Sequence, residues 1–172
     1  MRKKLRHLIL AALFAALTAA LVVLNFPVGP GFVHLGDVVV LLAGCLLPTP
    51  YAMAAAAVGG GMGDWLSGYP IWMPATLIIK PAVAALFCAK QDRLLTRRNA
   101  LMTIPYAALT LGGYALYKLL VISLGLMDGG GAAWTAILAV NISGDSIQVI
   151  GSAALFVLLA FAMDKAGLKR QV

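Results

Sequence analysis

Five ionisable residues sit inside stretches that are otherwise apolar: Asp37, Asp64, Lys80, Lys118 and Asp145. A charge within hydrocarbon is costly, so such residues pair with one another or line a cavity that holds water or a ligand. Polar and aromatic side chains suited to holding a small molecule accompany them. Asn141, Asp145 and Gln148 recur at i, i+4 and i+7, with Ser152 one turn further, so they share one helix face. Tyr114 and Lys118 stand at i, i+4, pairing a ring with a cation. Tyr69 and Trp72 fall in a short Gly/Pro segment, as rings that can stack on a planar ligand or rest in a membrane interface. These residue types point to recognition of a ligand. The plainer alternative is a set of structural ion pairs, such as Asp64 with Lys80 or Lys118 with Asp145.

Catalytic chemistry has little support. Gly61-Met62-Gly63-Asp64 matches the GxGD of intramembrane aspartyl proteases, which need a second aspartate to share a proton. The partner should follow a Tyr, but Asp37 follows Gly36, and the downstream Pro-Ala-Leu element is missing. The chain has no phosphate-binding loop ending in Gly-Lys-Ser/Thr, no HExxH, no Cys/His cluster and no Ser/His/Asp set, so no enzyme activity, metal or cofactor is expected. Cys45 and Cys88 lie in apolar runs and read as small core hydrophobes.

The elements that must position these groups are membrane spans. Hydrophobic residues make up 62% of the chain and charged residues 11%, with a mean hydropathy of +0.97, outside the range of a soluble domain. A net charge of +7 would suggest nucleic acid in a soluble chain. Here, however, eleven of the thirteen basic residues form three clusters at the ends of apolar runs. Arg2, Lys3, Lys4 and Arg6 make the first, Lys90, Arg93, Arg97 and Arg98 the second, and Lys165, Lys169 and Arg170 the third. Such clusters face anionic headgroups and mark the cytoplasmic side. Apolar length and Gly/Pro punctuation define six spans, at about residues 8–24, 32–47, 51–66, 74–89, 101–124 and 134–163. Several are short for a hydrocarbon core of ~30 Å, which implies tilt or local thinning. The first could pass for a signal peptide, but Asn25-Phe26-Pro27 reads as a helix exit rather than a cleavage site.

With the N-terminus in the cytoplasm, an even number of spans puts all three basic clusters inside. The expectation is an all-α polytopic membrane protein of six transmembrane helices, N-in and C-in, forming one domain over residues 1–172. All five embedded charges then fall in the outer halves of their helices, as an outward-facing ligand cavity requires. On the first span Ala11, Ala15 and Ala19, with Ala12, Ala16 and Ala20 beside them, form a small-residue stripe able to pack inside the chain or against another membrane protein. Ala55, Gly59 and Gly63 repeat the pattern on the third span, where internal packing is expected.

The stretch from His34-Leu-Gly-Asp37 through Gly63-Asp-Trp-Leu-Ser-Gly-Tyr-Pro-Ile-Trp-Met-Pro-Ala-Thr-Leu-Ile-Ile-Lys80 resembles the substrate-binding S components of energy-coupling factor (ECF) transporters, in the riboflavin-type branch. The resemblance covers most of the chain. It implies a six-helix subunit of the bacterial cytoplasmic membrane that captures a vitamin or precursor from outside and works with a transmembrane T component and two ATPase subunits. It also implies that Ala11, Ala15 and Ala19 match the AxxxA face by which the family docks on the T component. Substrate identity carries over poorly, because S components keep the fold while changing the pocket. The residues expected around the ligand are Asp37, Tyr69, Trp72, Lys80, Tyr114, Lys118, Asn141, Asp145 and Gln148. No Arg lies in a span to clamp a carboxylate or phosphate, so a small planar heterocycle suits the set better than a polyanion. A hydroxymethylpyrimidine or vitamin B6-type ring leads, then riboflavin. The alternative outside transport is a membrane scaffold or enzyme whose buried charges are structural.

Overall fold

The computed structural model describes the backbone of residues 2–28, 31–87, 89–127 and 134–171, and the side chains of residues 3–26, 33–87, 89–127 and 144–169. The order of elements is α1 (Arg2–Val23), a hairpin of β1 (Phe26–Val28) and β2 (Gly31–Val33), α2 (Gly36–Leu46), α3 (Thr49–Leu66), α4 (Met73–Leu86), α5 (Arg97–Leu101), α6 (Thr103–Ser123) and α7 (Trp134–Lys165). Six of these helices coincide with the six expected spans. One correction concerns the start of the second: residues 32–35 are not helical, and a short antiparallel hairpin in which Phe26 pairs with Val33 precedes α2 in an otherwise helical fold.

The punctuation residues act where their backbone chemistry allows. Pro50 and Pro74 occupy first-turn positions of α3 and α4, where the missing N–H has no helical partner to lose. Pro81 is accommodated inside α4. The Thr96 hydroxyl caps α5 by accepting from the Asn99 N–H at 3.2 Å. Gly68 and Gly125 end α3 and α6 with φ of 81° and 70°, a left-handed conformation that favours glycine.

Among the described residues three helical stretches, Lys3–Val23, Arg97–Ser123 and Gly144–Lys165, are long and apolar enough to cross a membrane, and Gly36–Leu46 and Pro70–Leu86 are shorter apolar helices. The outside of the fold is as greasy as its core. Leu13, Ile104, Leu116 and Phe161 are each 60% or more exposed, a surface that hydrocarbon covers and water does not.

Helix α3 is central, packing most extensively on α1 and on α4. Its glycines set the spacing: a Cβ on Gly59 would meet the Ala15 carbonyl oxygen at 2.6 Å, and one on Gly60 would meet Thr76 Cγ2 at 2.7 Å. Three glycines in a row are poor helix formers, and the close contacts they permit with α1 and α4 compensate.

Candidate functional site

The buried α2 carries Asp37 in its first turn, and α4 delivers Lys80 to it in a buried ion pair. The second carboxylate oxygen of Asp37 accepts from the Tyr106 hydroxyl of α6 at 2.9 Å. Three helices are thus tied at one carboxylate. Lys80 forms its ion pair with Asp37, while Asp64, on the neighbouring α3, lies within electrostatic reach of the same cation.

Polar groups continue along α4 and α6 toward the 69–72 turn. Trp72, Thr76 and Lys80 follow at i, i+4 and i+8, and Tyr106, Thr110, Tyr114 and Lys118 do the same on α6. The two stripes meet: Thr76 Oγ1 and the Tyr114 hydroxyl are 2.9 Å apart, and Lys80 Nζ lies 5.4 Å from the Tyr114 ring centroid, a cation–π distance. Trp72 packs edge-on to Tyr114 at 6.2 Å and against Tyr117 at 5.9 Å, and the Tyr117 hydroxyl donates to the Ile71 carbonyl at 2.6 Å. An aromatic group thus adjoins the ion pair through Tyr114.

Helix α7 contributes a third stripe. Gln148 is buried and bonds His34 at both ends: its Oε1 accepts from the His34 N–H at 2.7 Å and its Nε2 donates to the His34 carbonyl at 2.7 Å. Its amide therefore anchors the chain ahead of α2. Ser152, one turn beyond Gln148, is buried. Asp145 is partly buried, within electrostatic reach of Lys80, Lys118 and Asp37. Asn141 lies outside the residues whose side chains are described. Tyr69 is 42% exposed, beside the aromatic group in sequence. Three buried polar atoms, Asp64 Oδ2, Ser67 Oγ and Thr110 Oγ1, have no hydrogen-bond partner among the described residues. No group of His, Cys, Asp and Glu among the described residues could hold a metal ion.

The profile of the ECF-type riboflavin transporter S component family matches residues 2–165. The chain belongs to this family. No curated protein matches it significantly. As an ECF S component it is a multi-pass membrane subunit for vitamin capture, and the family is one of transporter subunits rather than enzymes.

The alanine stripe of this S component divides in two. Ala11, Ala15 and Ala19 are buried, with Ala15 against Gly59 of α3. Their neighbours Ala12, Ala16 and Ala20 are exposed. Within the single chain, the row of Ala11, Ala15 and Ala19 therefore faces inward and the row of Ala12, Ala16 and Ala20 outward.

Tyr106, Thr76, Tyr117 and His34 are site residues that the sequence reading missed. Tyr106 extends the four-residue register of Tyr114 and Lys118 by two turns, through Thr110, and Thr76 stands one turn before Lys80, so the same periodicity would have found Tyr106 and Thr76. His34 takes part through its backbone and through its ring, whose Nδ1 accepts from the Gly36 N–H at 3.2 Å, and no helical periodicity marks it.

Proposed function

We propose that this S component captures a small planar vitamin or vitamin precursor from outside the cell, with a hydroxymethylpyrimidine or vitamin B6-type ring ahead of riboflavin. The aromatic group of Trp72 and Tyr114 beside the Asp37–Lys80 pair is the observation that carries this reading. Rings stack on a planar heterocycle, and a neutralised ion pair beside them favours a neutral or weakly charged one. Tyr69, Lys118, Asn141 and Asp145 complete the outward side of the site. Asp37 and Lys80 form its floor, and Gln148 holds the segment ahead of α2. The unpartnered atoms of Asp64, Ser67 and Thr110 add support, since buried polar groups in native proteins are paired and a ligand can supply the partner.

The chain crosses the bacterial cytoplasmic membrane six times, N-in and C-in, a reading supported by the basic clusters at one set of helix ends. It delivers its cargo with a transmembrane T component and two ATPase subunits. Ala12, Ala16 and Ala20 form the docking face, because they are the exposed half of the α1 stripe.

The alternative of a scaffold with structural charges is favoured by the burial of Asp37 and Lys80, which are 1% and 5% exposed. Mass spectrometry of the purified chain separates the two readings. A co-purified heterocycle that exchanges with added hydroxymethylpyrimidine, pyridoxine or riboflavin supports transport, whereas an empty chain that binds none of the three favours the scaffold.

A further inference from the structure

Two cavities that the vitamin site does not use lie in succession along α7. The first is an apolar groove of about 720 Å³ between α6 and α7, lined by residues that include Ile104, Ala107, Ile150, Ala154 and Leu158. The second, of about 570 Å³, is polar and lies where the segment between α4 and α5 meets the end of α7; Arg93, Phe161, Asp164, Lys165 and Lys169 line it. Leu158, Phe161 and Lys165 follow at i, i+3 and i+7, so groove and pocket belong to one helix face, with Lys165 ~10 Å along the axis from Leu158. We infer that the two cavities together bind one anionic phospholipid, its phosphate in the polar pocket and an acyl chain in the groove.

The chemistry of the lining carries this assignment. Arg93, Lys165 and Lys169 bring three cations to the pocket, against the carboxylates of Asp92 and Asp164. Asp164 is already engaged, accepting from the Leu94 and Leu95 N–H groups at 2.7 and 2.9 Å, so it fixes the loop instead of repelling an anion. Lys169 Nζ donates to the Arg93 carbonyl at 3.3 Å, which holds the chain after α7 beside that loop. The pocket is therefore built by contacts between separate segments. Phe161, 61% exposed, connects it to the groove, whose walls belong to two helices apolar enough to span a membrane. An occupant of that groove comes from hydrocarbon, and a phospholipid is the membrane component that would bring a phosphate to the adjoining cations. The assignment requires α6 and α7 to be embedded and is independent of the vitamin site.

Native mass spectrometry of the full chain in detergent tests it, with phosphatidylglycerol and phosphatidylcholine of matched acyl chains and with inorganic phosphate as competitor. Phosphatidylglycerol should be retained about tenfold better than phosphatidylcholine, and millimolar phosphate should not displace it. The combined variant R93Q/K165Q/K169Q should lose that preference, and A154W, which fills the groove, should lower retention of both lipids about tenfold. Equal retention of the two lipids by the unmodified chain overturns the inference. So does displacement by phosphate, which would make the site one for a free anion, or undiminished preference in the triple variant.

Discussion

Asp37 and Lys80 form a buried ion pair that joins α2 to α4 across 43 positions of sequence, with side chains 2% and 6% exposed. A pair this deep repays its desolvation only when its remaining bonding capacity is also met, and Tyr106 and the Tyr114 ring meet part of it.

Asp37→Asn strands the Lys80 cation and should cost about 3–5 kcal/mol. Replacing both residues, as Asp37→Asn with Lys80→Met, should recover much of that loss. Unfolding of the three variants in detergent measures the coupling, and a single variant as stable as the parent would show that the pair is energetically idle.

Tyr106→Phe removes one hydrogen bond to a charged acceptor while keeping the ring in the core, and should cost about 1.5–3 kcal/mol. The same unfolding assay reads it. No loss would mean that the hydroxyl is better served elsewhere.

Ala15→Leu and Ala16→Leu should behave oppositely although they are adjacent. Ala15 faces Gly59, so added bulk forces α1 and α3 apart at a cost of about 1–3 kcal/mol. Ala16 is exposed, so its leucine should leave stability and ligand affinity intact while abolishing uptake with the coupling subunits. Uptake that survives Ala16→Leu would move the docking face away from α1.

The membrane orientation is open to labelling from outside in a cysteine-free background. A cysteine at Leu126 should react and one at Arg97 should not; the reverse pattern overturns the N-in, C-in arrangement.

For the vitamin site, Trp72→Ala and Asp145→Ala should each weaken binding about tenfold or more in titration calorimetry, since a lost stacking ring and an unpaired ligand polar group each cost about 1–3 kcal/mol. Both variants should remain folded. Wild-type affinity in the two would leave the charges as structural pairs only.

The six helices were legible because hydrocarbon imposes a one-dimensional constraint: a span needs a run of apolar residues, and Lys and Arg collect at its ends. The interior direction of the α7 stripe was legible too, because Gln148 and Ser152 recur with the helical period and both are buried. The side of the alanine stripe was not, since two adjacent rows of alanine are identical in sequence and only the docking of α3 buries one of them.

Sequence by itself determined the membrane class, the positions of the helices and which residue types would be costly to bury, because each follows from local composition and spacing. Only the tertiary structure decided that Lys80 meets Asp37 rather than Asp64, that Gln148 anchors His34, and that Tyr114 stands between the ion pair and Trp72. Those choices depend on which helix faces come together, and contacts across dozens of residues are set by close packing at sites such as Gly59 and Gly60, not by any periodicity within one span.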